Sequence, residues 1–142
     1  MILPDVNVLV YAHREESAHH SACRGWLETV INGVTSYGIS DLVLSGFIRV
    51  VTHPKVFKQP SPLSDAIAFA AQLRDQPNCV RIETGPRHWE IFTRLCTESG
   101  VKGNLVPDAY LAAIAIEAGC EWVSTDRDFS RFKGLRWRHP IT

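Results

Sequence analysis

The run VPDAYLAAIAIEAG, residues 106–119, constrains the fold more than any other segment. Pro107 stands near the first helical position and Gly119 follows the last, which is how helices are commonly punctuated. Between them apolar side chains occupy most sides, so this helix has to be covered on most sides and stands centrally. A chain of 142 residues can wrap a core around such a helix as one domain, 1–142, without cross-links.

The remaining segments supply that cover. Ile2–Pro4 reads as a short buried strand that stops at Asp5, and Val6–His13 as a helix capped by Asp5 or Asn7. A second helix has Ala22, Trp26 and Val30 on one face, with Cys23 and Leu27 beside them, and ends at Gly33. Thr35–Ile39 is a strand. Ser40 or Asp41 caps a helix striped by Leu44, Phe47, Ile48 and Val51, which His53-Pro54 stops. After the proline-marked loop HPKVFKQPSP, helical spacing resumes at Ser64 through Ile67, Ala70, Ala71 and Leu73. Val80–Ile82 is a strand, and Pro86–Glu98 a helix with Trp89, Phe92, Leu95 and Cys96 inward. A loop over Gly100–Leu105 leads to the central helix. Strands over Glu121–Ser124 and Leu135–Arg138 flank the segment TDRDF. Strands alternating with helices predict an α/β sandwich with a mostly parallel sheet.

Lys plus Arg number 15 and Asp plus Glu number 15, so the net charge is zero. That argues against a broad basic coat for DNA, yet a local cationic rim around an acidic site is compatible with it. Cys23, Cys79, Cys96 and Cys120 form no close pair, so zinc-ribbon and thioredoxin patterns are missing. MILPDVNVLV has no basic leader and is interrupted by Asp5, unlike a signal peptide. No apolar run is long enough for a bilayer, and the expectation is a soluble cytoplasmic protein with core cysteines.

Parallel sheets place their sites beyond the carboxyl ends of the strands. Asp5 and Asp126 directly follow predicted strands, and Asp108 sits in the first turn of the central helix. Asp128 can join from the loop. Singly, each has a bland use: Asp5 as a cap, Asp108 as a complement to a helix dipole. Together, converging carboxylates repel one another, and a divalent cation resolves the repulsion. All-oxygen ligands suit Mg²⁺ or Mn²⁺ rather than zinc, and phosphodiester hydrolysis is the natural reaction.

Around these acids several residues carry two readings. Asn7 orients Asp5 or caps the first helix. Thr125 bonds a ligand carboxylate or water, or only ends a strand. Arg49 pairs a carboxylate or an RNA phosphate, or lies on a solvated face. Arg127, Arg131, Lys133, Arg136 and Arg138 form a rim for RNA or a scatter of surface charge. His19 and His20 are adjacent, so they point apart and read as structural rather than metal ligands. Trp26, Trp89 and Trp122 read as packing, while Trp137 is the best placed to stack on a base.

The segments PDVNVLV, VPDAYLAAIAIEAG and STDRDF followed by FKGLRWRHP, in this order and spacing, resemble PIN-domain ribonucleases. HHSACRGWL and GFIRVVTHPKVF fit a subgroup of the VapC toxins of bacterial toxin–antitoxin pairs. The likeness covers essentially the whole chain. It implies a PIN-like three-layer α/β/α sandwich and a Mg²⁺- or Mn²⁺-dependent endoribonuclease acting on structured RNA such as tRNA or rRNA. It also implies an antitoxin partner, VapB-like, and a homodimer. Asp5, Asp108 and Asp126 match the family's metal and catalytic aspartates, and Asp128 an additional acidic position. One departure stands out: many such nucleases carry a glutamate where this chain has Gly46, and Asp41 is the neighbouring carboxylate. That keeps a second reading open, a degenerate PIN fold that binds RNA or a protein without cutting. A third is a metal-dependent nuclease or phosphatase acting on DNA or small phosphate esters.

Overall fold

The computed structural model describes residues 1–141. Ile2–Pro4 forms β1 and runs parallel to Glu121–Val123, β4, with Ile2 opposite Glu121 and Pro4 opposite Val123. β4 also pairs in parallel with β5, Trp137–Arg138, so it is the middle strand of three. Tyr37–Ile39 and Cys79–Arg81, β2 and β3, make a second parallel pair, and β2 lies beside β1. Every hydrogen-bonded pair is parallel, which requires crossovers, and helices supply them.

Those helices are α1 (Val6–His13), α2 (His20–Asn32), α3 (Asp41–Val51), α4 (Leu63–Arg74), α5 (His88–Ser99) and α6 (Val106–Ala118). α1 packs on α2 and α3, α3 packs on α4, and α5 pairs with α6. The expected α/β sandwich is therefore what forms. α6 is as buried as its composition requires: Ala109, Ala112, Ala113, Ile114 and Ala115 are all interior. Its small side chains let neighbours approach closely. Gly119 ends it at φ +69°, a left-handed conformation that glycine takes without the Cβ clash.

In three helices one edge of the inward face differs from the pattern. α2 buries Cys23 and Leu27 while Ala22 is exposed. α4 buries Ala66, Ala70 and Leu73, and Ile67 is 50% exposed. α5 buries His88, Ile91 and Leu95, and Trp89 is 69% exposed, which corrects its assignment to the core. The rest of each expected face is inward: Cys23 and Leu27 in α2, Ala70 and Leu73 in α4, and Leu95 in α5, with Phe92 and Cys96 packed against the core. In α5 the inward histidine hid that edge, because its Nε2 is matched to the Tyr110 carbonyl at 3.0 Å. Short 3₁₀ turns occupy Gly103–Leu105 and Arg127–Arg131, segments that read as loop. Among the described residues no helix is long and apolar enough to cross a membrane, and the four cysteines are unpaired.

Candidate active site

The site grows out of the β1–β4 ladder. Pairing runs one residue past β1, where the Asp5 N–H donates to the Val123 carbonyl at 2.8 Å. That places the Asp5 side chain at the mouth of α1, and Asp5 Oδ1 accepts from the Val6 N–H at 2.7 Å as its cap. The other oxygen, Oδ2, accepts from the Ser124 hydroxyl at 2.7 Å and from Asn7 Nδ2 at 3.3 Å. Asn7 Nδ2 also donates to Ser124 Oγ at 3.1 Å, and Asn7 Oδ1 accepts from the Thr125 N–H at 3.2 Å. The Asp126 N–H closes the set by donating to Ser124 Oγ at 3.0 Å. Asp5 is thus the helix cap, and Asn7 is a strut that ties the ends of β1 and β4 together.

Burial and like charge dominate the electrostatics. Asp5 is only 6% exposed, and burial lifts its pKa from 3.8 to about 6 against the pull of its hydrogen bonds, with the charges of Asp108 and Asp126 adding to the lift. Asp108, in the first turn of α6, also rises to about 6, again mainly by burial and then by the charges of Asp126 and Asp128, while Arg131 opposes the rise. Asp126 Oδ1 accepts from the Asp128 N–H at 2.9 Å, which fixes the turn after β4. Asp128 points outward to Arg131, 3.5 Å away. The four acids, from distant parts of the chain, therefore share one neighbourhood.

Among the described residues no three His, Cys, Asp or Glu side chains are arranged to hold a metal ion together as they stand. That excludes a closed protein cage such as calcium or structural zinc takes. The donors that Asp5 and Asp108 offer are all oxygen, the chemistry that Mg²⁺ takes together with waters. Burial and neighbouring carboxylates raise the pKa of both, so each holds its proton more readily than a free carboxyl.

Other residues singled out in the sequence divide. Thr125 contributes its backbone N–H, through Asn7. Asp41 is engaged by Arg74 Nε at 2.9 Å and is no ready substitute for the glutamate missing at Gly46. Arg136 donates to the Gly119 carbonyl at 2.7 Å and Arg138 to Glu121 at 2.9 Å, so both are tied to the fold. The half-buried Trp137 has its indole N–H on the Ser124 carbonyl at 3.0 Å, a packing role. Arg49, Arg127 and Lys133 have no carboxylate partner among the described residues. His20 Nδ1 lies 2.9 Å from the Tyr11 carbonyl and the His19 ring packs on Tyr11, so both histidines are structural. Ser124, fully buried and central to the network, was given no role of its own by sequence. Its signal was a hydroxyl closing an otherwise apolar strand two residues before Asp126.

Residues 2–135 match the family model described as PIN domain. The chain is 45% identical over 141 residues to ribonuclease VapC43 of Mycobacterium tuberculosis, covering 99% of this chain and 96% of that one. To ribonuclease VapC25 of the same organism it is 40% identical over 140 residues, covering 99% of each. Among solved structures, VapBC2 from Rickettsia felis bound to a promoter DNA fragment superposes with a TM-score of 0.70 at 18% identity, over 98% of each chain. Mycobacterium tuberculosis VapC20, titled a sarcin–ricin loop cleaving toxin, gives 0.64 at 18% identity over 96% and 99%. At those identities the solved structures speak for the fold.

Proposed function

Because this chain belongs to the PIN-domain family and, within it, to the VapC ribonucleases, we propose that it is a Mg²⁺- or Mn²⁺-dependent endoribonuclease that cuts structured RNA, tRNA or rRNA. The observation that supports this reading is the meeting of acids from distant parts of the chain beyond the carboxyl ends of β1 and β4. Asp5 follows β1, Asp126 follows β4 and Asp108 sits in the first turn of α6, close enough that Asp108 and Asp126 act on Asp5, and Asp126 and Asp128 on Asp108. Acids crowded in this way at a strand-end site await a cation and then a phosphate.

In this reading Asp5, Asp108 and Asp126 are the oxygen donors, with Asp128 at the outer edge. A divalent ion bound there supplies Lewis acidity and a water acidified enough to attack phosphorus. The chain's own part is to fix the donors. Ser124 and Asn7 hold Asp5 Oδ2 in place, the Val6 N–H holds Oδ1, and the Asp128 N–H holds Asp126. Arg127 and Lys133 stand in the segment just after Asp126 to receive backbone phosphates. A second element of this proposal is an antitoxin protein as partner, for which the likeness to VapBC2 speaks, and a homodimer of the toxin, which the resemblance to VapC toxins implies.

The test is incubation of partner-free protein with total cellular RNA and Mg²⁺ or Mn²⁺, with and without chelator. Discrete fragments should appear, and they should vanish with chelator and in folded Asp5→Ala and Asp108→Ala. Normal cleavage by both variants would sink the site assignment. A folded wild type that binds RNA and cuts none with either ion would instead favour the binding-module reading that Gly46 keeps open.

A further inference from the structure

Between α3 and α6 a hollow of ≈ 470 Å³ opens beside the carboxylates. Val6, directly after Asp5, and Pro107, directly before Asp108, both line it. The hollow therefore begins one residue away from two of the site's acids. Leu42, Ser45, Gly46 and Arg49 of α3 and Tyr110 and Leu111 of α6 complete its walls. Gly46 keeps it open: a Cβ there would already stand 3.0 Å from Val6 Cγ2, so α1 and α3 come too close for a longer side chain to be added without a shift. Position 46 therefore sends no side chain into the hollow.

Tyr110 is set in position in advance. His88 meets its ring at 4.3 Å and 62°, Phe92 meets it at 5.4 Å and 69°, and its carbonyl is bonded by His88 Nε2. Among the described residues nothing hydrogen-bonds its hydroxyl and nothing pairs with the exposed Arg49 guanidinium. Tyr110 is also the wall shared with a second hollow of ≈ 360 Å³ that reaches Ser40, Glu83 and Thr84. That one offers acceptors and hydroxyls but no cation. The two adjoining hollows thus hold between them an unpaired cation, a braced aromatic ring, and hydrogen-bonding groups of the kind a base edge reads. Hollows of this size enclose small ligands.

We propose that this hollow takes an unstacked base of the RNA, from the nucleotide next to the phosphate being cut, with Tyr110 as its platform and Arg49 on its phosphate. The proposal rests on the ribonuclease reading. An RNA base is favoured over a protein segment because Val6 and Pro107, which line the hollow, are the chain neighbours of Asp5 and Asp108, so a strand held at those acids has the hollow within reach. Bases that can be splayed out and stacked on an aromatic ring are the usual target of sequence-specific RNA recognition. The site therefore selects unpaired segments, loops and bulges, over continuous duplex.

Short single-stranded RNAs carrying 2-aminopurine at one position each are titrated into the protein with Ca²⁺ in place of Mg²⁺. Wild type should quench the label at one position and little elsewhere. Tyr110→Leu should abolish that quenching and weaken binding about tenfold, within the range expected for loss of one stacking partner. Ser45→Phe fills the hollow from an exposed position of α3 without touching the His88 and Phe92 contacts, and should do the same in a protein of unchanged thermal midpoint. Quenching that shows no dependence on position in wild type, or that survives in both variants, overturns the proposal. Chelator-sensitive RNA cleavage that persists in that case leaves the ribonuclease reading standing. If the variants keep their RNA binding and lose a co-purifying protein partner instead, the hollow docks protein and the RNA assignment is wrong.

Discussion

Ionising Asp5 or Asp108 costs this fold stability, because each is withdrawn from water and each faces other carboxylates. Between 3.8 and about 6 the folded chain keeps protons that the unfolded chain has lost. These two acids therefore make metal-free protein less stable as pH rises through that window, with the loss complete above it. Asp108→Asn removes one of the charges. In chelator its midpoint should match wild type near pH 4 and exceed it by a few degrees at pH 7, a gap that Mg²⁺ narrows by binding wild type. Equal midpoints at pH 7 would mean that Asp108 is not crowded. Asn7→Ala and Ser124→Ala act through Asp5, and each should lower RNA cleavage or metal affinity by about 10–100-fold, the usual effect of removing a group that orients a ligand. Asp5, Asp108 and Asp126 were legible in the sequence because their positions relative to strands and a helix start are local facts. The bond from Ser124 to Asp5 spans 119 residues and exists only through the β1–β4 register, which no local pattern reports.

At the scale of elements, existence and order were readable and azimuth only in part. α6 announced itself by proline, glycine and an almost wholly apolar composition, and α3 by a stripe that turned out buried at Leu44, Phe47 and Val51. α2, α4 and α5 keep most of their apparent faces but leave Ala22, Ile67 and Trp89 exposed, because half-apolar surfaces offer two nearly equal stripes. Neighbouring helices decide between them: His88 wins over Trp89 by finding the Tyr110 carbonyl. The packing of α6 should be correspondingly intolerant of size. Ala112 and Ala113 have no exposed surface. Ala113→Leu should destabilise by about 1–3 kcal/mol through overpacking, seen as a lower midpoint in thermal or urea unfolding. An unchanged midpoint would show a looser interior than these contacts describe.

For the whole molecule, zero net charge sets how RNA is approached. With zero net charge, attraction has to come from local cations, and of those without a carboxylate partner among the described residues Arg49 lines the hollow while Arg127 and Lys133 follow Asp126 in the chain. Three phosphate contacts to single-stranded RNA predict a slope of about −2 for log affinity against log salt concentration. Fluorescence titrations over a range of KCl measure it directly. A slope several times steeper would mean that Arg136 and Arg138 leave their present bonds to join the interface.

The bond between the two ends of the site also has a consequence in time. Ribosomes deliver the N-terminal part of a chain first. A nascent chain that has reached Gly119 already carries Asp5, Asn7 and Asp108, but it lacks Ser124, Asp126 and the strand β4 on which β1 depends for its hydrogen bonds. Until β4 emerges Asp5 has neither its ladder partner nor its serine. The acids can come together only after β4 and the turn behind it have been made, so the site is incomplete while Asp5, Asn7 and Asp108 are already on the chain.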